Sequence, residues 1–85
     1  LAHGEKFMDI AEISDTFSII EAKVPESWVG KNLMELSLRK KYKFNIIAIK
    51  EEGKYKINPD VNIPFKHGMH LVVLGETEKM AKVFK

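Results

Sequence analysis

Apolar positions change their spacing several times along the chain, and each change marks an element. In TFSIIEAKV (16–24) the residues alternate after Ser18: Ile20, Ala22 and Val24 share one face, Glu21 and Lys23 the other. A two-residue period is the pattern of a half-buried strand, and Pro25 stops it because proline cannot donate to a ladder. Trp28, Val29 and a turn at Gly30 follow. Then Leu33, Met34, Leu36 and Leu38 predict an amphipathic helix of about two to three turns. Arg39, Lys40 and Lys41 fall near its end, where cations suit the negative pole. The clearest strand is FNIIAIKEE (44–52), with an uninterrupted apolar run over 46–49. Glu51, Glu52 and Gly53 make a hairpin turn into KYKINP (54–59), where Tyr55 and Ile57 alternate with lysines until Pro59. A loop closed by Gly68 leads to the buried strand MHLVVLG (69–75). ETEKMAKVFK (76–85) is a terminal helix with Thr77 as candidate N-cap and an apolar stripe of Met80, Val83 and Phe84. Ahead of all this, Phe7, Ile10 and Ala11 have helical spacing, which predicts a short helix or an ordered linker.

The order is strand, helix, strand, strand, strand, helix. The expected class is α+β, a small mixed sheet with helices on one face. The sequence has 85 residues, one domain's worth. A chain of this size buries only ~60–65% of its unfolded surface, so a second copy would help it. There is no cysteine, which removes disulfides and thiolate metal sites. A formal charge of +2 is too weak a bias to argue for nucleic acid. No apolar run reaches the ~20 residues of a membrane helix.

Few residue constellations suggest chemistry. His67 and His70 are three apart, but on a strand entry that spacing points them to opposite faces, and no carboxylate or cysteine clusters with them. A structural or solvent role is expected, and no metal. Glu51 and Glu52 sit in an exposed turn where nothing raises a pKa. The serines lie in no nucleophile elbow, and the glycines form no phosphate loop. No catalytic residues are assigned, and the chain is expected not to be an enzyme. What remains is the basic stretch before the strand at 44. Arg39 carries a planar fork of donors suited to phosphate oxygens. Asn45 offers both donor and acceptor, and Leu33, Leu38, Phe44 and Ile46 flank them. A nucleotide needs cations for its phosphate and an apolar shelf for its base. On the residues alone, a solvated helix end competes with that reading.

The marks Val29-Gly30-Lys31, Leu33, Leu36, Arg39, 45–49, Pro59, Gly68, Leu71 and Gly75 stand in an order and spacing that resemble the TrkA C-terminal domain, the C-terminal lobe of the regulator-of-potassium-conductance family. The likeness runs from about Thr16 to Phe84. Met69 departs from it, since the family usually has an acidic residue after that glycine. The resemblance implies a cytoplasmic regulatory lobe, peripheral to the membrane through a potassium transporter partner, with no insertion of its own. It implies a connecting segment at 1–13 from a missing nucleotide-binding lobe, and the regulatory domain over 14–85. It implies a homodimer. In the Ktr-type subset it implies cyclic di-AMP held across the dimer interface by an arginine and, six positions on, an asparagine. Arg39 and Asn45 have that spacing. The candidate ligand-binding set is then Leu33, Ser37, Leu38, Arg39, Phe44, Asn45, Ile46 and Pro59, with no other cofactor. Two other readings stay open: a ligand-free dimerisation or gating lobe, and a small nucleic-acid binder. The second would need aromatic residues interleaved with cations on one sheet face, and the strand at 46–49 reads as buried instead; no nucleic-acid partner is expected.

Overall fold

The computed structural model describes residues 7–84. Five strands form one sheet in the order β1-β2-β5-β3-β4, with β1 Phe7–Glu12, β2 Phe17–Lys23, β3 Asn45–Glu51, β4 Lys54–Ile57 and β5 His70–Glu76. Every ladder is antiparallel. The parallel element is confined to an isolated bridge between Val29 and Phe65. The helices are α1 Leu33–Leu36, α2 Leu38–Tyr42 and α3 Thr77–Val83, and a short 3-10 turn spans Glu26–Trp28.

The α+β class and the strands at 16–24, 44–52, 54–59 and 69–75 are found as expected. Two elements differ. Phe7, Ile10 and Ala11 belong to a strand, not a helix: β1 pairs with β2, with an irregularity between Asp9 and Ala11. The sheet therefore takes in residues upstream of the boundary drawn before Ser14. Residues 1–6 of the expected connecting segment lie outside the described residues. The second difference is the helix after Gly30, which is broken at Ser37 (φ 50°) into α1 and α2. Leu36 and Leu38 explain the break. Two residues apart on one helix, they would point about 200° from each other. Left-handed Ser37 rotates the chain so that Leu38 enters the core while Leu33 and Leu36 still pack against it.

One face of the sheet carries the core. Ile20 and Ala22 of β2, Leu71 and Val73 of β5 and Ile49 of β3 are buried there with Leu38, Met80 and Phe84. Rings continue the packing across the helical layer. Trp28 lies edge-on to Phe84 at 5.4 Å and stacks near Phe65 at 6.2 Å, while Phe44 lies 5.9 Å from Phe84. Gly75 makes room for this: a Cβ there would stand 2.7 Å from the Phe44 ring. Met69, the departure from the family pattern, is buried, and its Sδ accepts the Lys66 N–H at 3.3 Å. Thr77 does not cap α3. Its hydroxyl pairs with Ser18 Oγ at 2.6 Å, and its N–H donates to the Thr16 carbonyl.

The opposite face has no helix over it, yet Glu21 is only 5% exposed there. The expectation that Glu21 faces solvent with Lys23 is corrected. Its carboxylate accepts the Tyr55 hydroxyl at 2.7 Å and lies 3.2 Å from His70 Nδ1 and 3.6 Å from Lys50 Nζ. Burial alone would push this carboxyl up, but the Tyr55 hydrogen bond, Lys50 and His70 together outweigh burial and hold it below the ordinary carboxylate value. His67 meets Glu26 Oε2 at 2.7 Å. His67 and His70 thus each stand against one glutamate, and the two are not brought together.

Candidate functional site

The broken helix sets up the site. Asn32 caps α1: its Oδ1 accepts the Glu35 N–H at 2.8 Å, and Glu35 Oε1 accepts the Asn32 N–H at 3.1 Å. This reciprocal box satisfies two donors that a helix start leaves free. Ser37 Oγ donates to the Met34 carbonyl at 3.3 Å, which steadies the break. α2 is a single turn, ended by Lys43 in the left-handed region (φ 60°). Arg39 and Lys40 are therefore carried on a short, separately oriented turn directly above the start of β3.

From the other side, the β3–β4 hairpin closes through Glu52 and Gly53, both at positive φ as a two-residue type I′ turn requires. β4 stays with β3 only as far as the Ala48–Ile57 pair. Asn58 then turns the chain away (φ 52°), its N–H donating to the Ile47 carbonyl at 3.1 Å. The following segment returns to α1, where the Met34 N–H donates to the Val61 carbonyl at 3.2 Å.

Between these walls lies an open cavity of about 440 Å³. It is lined by Leu33, Met34, Ser37, Leu38, Arg39, Lys40, Phe44, Asn45, Ile46, Asn58, Pro59 and Val61. All eight residues expected from the sequence face this one space. Two have a second task. Leu38 is 3% exposed and Phe44 1%, so both are core residues whose outer atoms floor the cavity. The accessible apolar shelf is Leu33, Ile46 and Pro59, to which Met34 and Val61 add.

Met34, Lys40, Asn58 and Val61 were not anticipated. Lys40 is exposed yet lines the cavity, whereas Lys41 lies 5.5 Å from the centre of the Tyr42 ring. Helical periodicity over an unbroken helix hides this, because the turn at Ser37 resets the direction of everything after it. Asn58 carries a weak sequence signal: asparagine before proline at a strand end is a turn mark. The side chains of Arg39, Lys40, Asn45 and Asn58 have no protein partner among the described residues. The cavity thus offers two cations and two free amides around an apolar floor, the set an anion with flat apolar groups would use.

The profile of the TrkA-C domain matches residues 19–85. The chain belongs to the TrkA-C domain family. The Ktr system potassium uptake protein C of Bacillus subtilis (strain 168) is 27% identical to it over 78 residues, covering 92% of the chain and 35% of the relative. The Ktr system potassium uptake protein A of the same strain is 26% identical over the same shares. The chain therefore spans about a third of the length of these curated relatives. Among solved structures, the RCK C domain of the potassium transport protein KtrA, in complex with cyclic diadenosine monophosphate, superposes with a TM-score of 0.71 at 33% identity, over 79% of this chain and 82% of that one. The RCK_C domain dimer of S. agalactiae BusR, also in complex with c-di-AMP, gives a TM-score of 0.59 at 19% identity over 94% and 90%, a shared fold. Among the described residues, no helix is long and apolar enough to cross a membrane, and no group of three or more His, Asp or Glu side chains could hold a metal ion.

Proposed function

We propose that this chain is a cytoplasmic, non-enzymatic regulatory lobe of a potassium uptake system that binds cyclic di-AMP between two copies of itself. The observation that carries the reading is the convergence of unpaired Arg39 and Asn45 on one cavity with an apolar floor. Support comes from the KtrA RCK C domain, which carries c-di-AMP in its solved structure at 33% identity. The cavity is open on one side, so a ligand in a single copy stays half exposed. A second copy related by a two-fold axis would close it, and a two-fold symmetric ligand could then make the same contacts to both. Arg39 takes a phosphodiester oxygen through its guanidinium, Asn45 hydrogen-bonds beside it, and the adenines rest on Leu33, Ile46 and Pro59. Bound ligand would tie the two lobes together and so alter the transporter they are joined to.

Isothermal titration with c-di-AMP, read together with light scattering of the ligand-free protein, tests this. The expected result is a dimer mass and one ligand per two chains. A monomer at tens of micromolar, or one ligand per chain, would overturn the shared site. Absence of binding with a stable dimer would favour the ligand-free dimerisation lobe.

A further inference from the structure

We infer that Asn58 selects the base in this cavity, its side-chain amide pairing with the N6–N7 edge of adenine; this rests on the reading that a cyclic dinucleotide occupies the site. Three features of Asn58 converge. Its backbone is held in the left-handed region, φ 52°, by the N–H bond to the Ile47 carbonyl, so the residue projects from a fixed turn rather than a loose loop. Asparagine enters that region more readily than most residues, so the turn and the amide come together in one side chain. Finally, Asn58 lines the cavity, and its amide has no protein partner among the described residues.

Its surroundings argue for a base and not a phosphate. Asn58 is followed by Pro59 and Val61, and the Val61 carbonyl is bonded to the Met34 N–H on α1. Asn58 therefore belongs to the same wall as the apolar Pro59, Val61 and Met34. The cations suited to phosphate, Arg39 and Lys40, come from α2 instead. A flat base needs apolar contact on its face and a polar group at its edge. The amide presents a donor and an acceptor side by side. Adenine presents the complement, an N6 amine donor beside the N7 acceptor. Guanine presents two acceptors on that same edge, O6 and N7, and one of them would face the amide oxygen.

The test titrates the wild-type protein with c-di-AMP, with c-di-GMP and with the 7-deazaadenine analogue of c-di-AMP, and titrates Asn58→Gly with the first two. Glycine accepts positive φ freely, so the variant keeps the turn and removes only the amide. Wild type should prefer c-di-AMP over c-di-GMP by roughly tenfold or more, the range of one well-placed amide–base pair. The deaza analogue should lose a similar factor. Asn58→Gly should lose most of the preference through weaker c-di-AMP binding, with c-di-GMP binding and the thermal midpoint unchanged. Equal weakening of both dinucleotides in Asn58→Gly would assign the amide to the phosphodiester or ribose and overturn the inference. Undiminished binding of the deaza analogue by wild type would also overturn it, with no substitution involved. An unaltered preference in a variant that still binds c-di-AMP sinks base selection alone. Failure of wild type to take up any of the three ligands sinks the reading of the cavity, and base selection with it.

Discussion

At the Lys50 end of β3, Glu21 is buried and ringed by Tyr55, His70 and Lys50; at the Asn45 end, Arg39, Lys40, Asn45 and Asn58 line a cavity without protein partners. Both ends gather polar side chains, and each includes a lysine. What differs is burial, and burial decides which groups must be satisfied from within. A carboxylate taken out of water costs several kcal/mol unless its oxygens are bonded, so Glu21 is held by three side chains from β3, β4 and β5. Exposed cations and amides lose nothing to water and need no such partners. The paired end therefore contributes to the fold, whereas the unpaired end is left available for something outside the chain.

The contrast breaks most visibly at Arg39. Each charge-assisted contact is worth roughly 1.5–3 kcal/mol, and a symmetric site loses two of them. Arg39→Ala should weaken c-di-AMP binding by about 3 kcal/mol or more, over a hundredfold, while leaving the urea midpoint where it was. If stability dropped in step with affinity, the Asn45 end would be structural after all.

Glu21→Ala is the mirror experiment. It removes the acceptor of the Tyr55 hydroxyl and the counter-charge of Lys50, and the loss of these charge-assisted contacts should cost about 1–3 kcal/mol of stability by urea unfolding. Ligand affinity should stay close to that of wild type. A large loss of binding would mean that the two ends of β3 are coupled.

Acid titration sharpens the same point. The Glu21 carboxyl is depressed in the folded state, since Tyr55, Lys50 and His70 outweigh burial. Its stabilisation is present above the unfolded carboxylate value of about 4.3 and is lost as pH falls through the lower folded value. Urea midpoints should fall along that limb, and Glu21→Gln should flatten it. A variant that kept the full wild-type acid dependence would remove Glu21 as its source.

The smallest effect separates neighbours. Lys40→Ala should reduce c-di-AMP affinity severalfold and lessen its salt dependence, because Lys40 lines the cavity. Lys41→Ala should change affinity hardly at all, by less than about 0.5 kcal/mol, because Lys41 rests on Tyr42. Equal losses at both positions would reduce the anion site to a diffuse basic surface.

Much of this was legible in the chain. Ile20, Ala22, Leu71 and Val73 alternate or cluster as buried strand residues do, and Gly53 and Pro59 punctuate them, so four strands and the α+β class follow from pattern. Arg39 and Asn45 were also visible as candidates. Three features were not. β1 reads as helical because Phe7, Ile10 and Ala11 are spaced by three and one, a spacing produced here by the irregularity after Asp9, which drops a residue from the pairing register. The helix after Asn32 reads as continuous because local periodicity cannot show that Leu36 and Leu38 seek the same core. Glu21 reads as solvent-facing because alternation assigns a face and not its depth.

By itself the sequence determined where four of the five strands form, since strand pattern is a local property of alternating side chains and turn residues. It also determined which cations and amides were present to serve a ligand. Only the tertiary structure decided that Leu38 must reach the core, which turns the chain at Ser37 and carries Arg39 and Lys40 over the start of β3. Only it brought Asn58 and Pro59, from the far end of a hairpin, against that same space. The cavity consists of residues whose nearness depends on packing between α1, α2 and the segment after β4, and no local pattern encodes that distance.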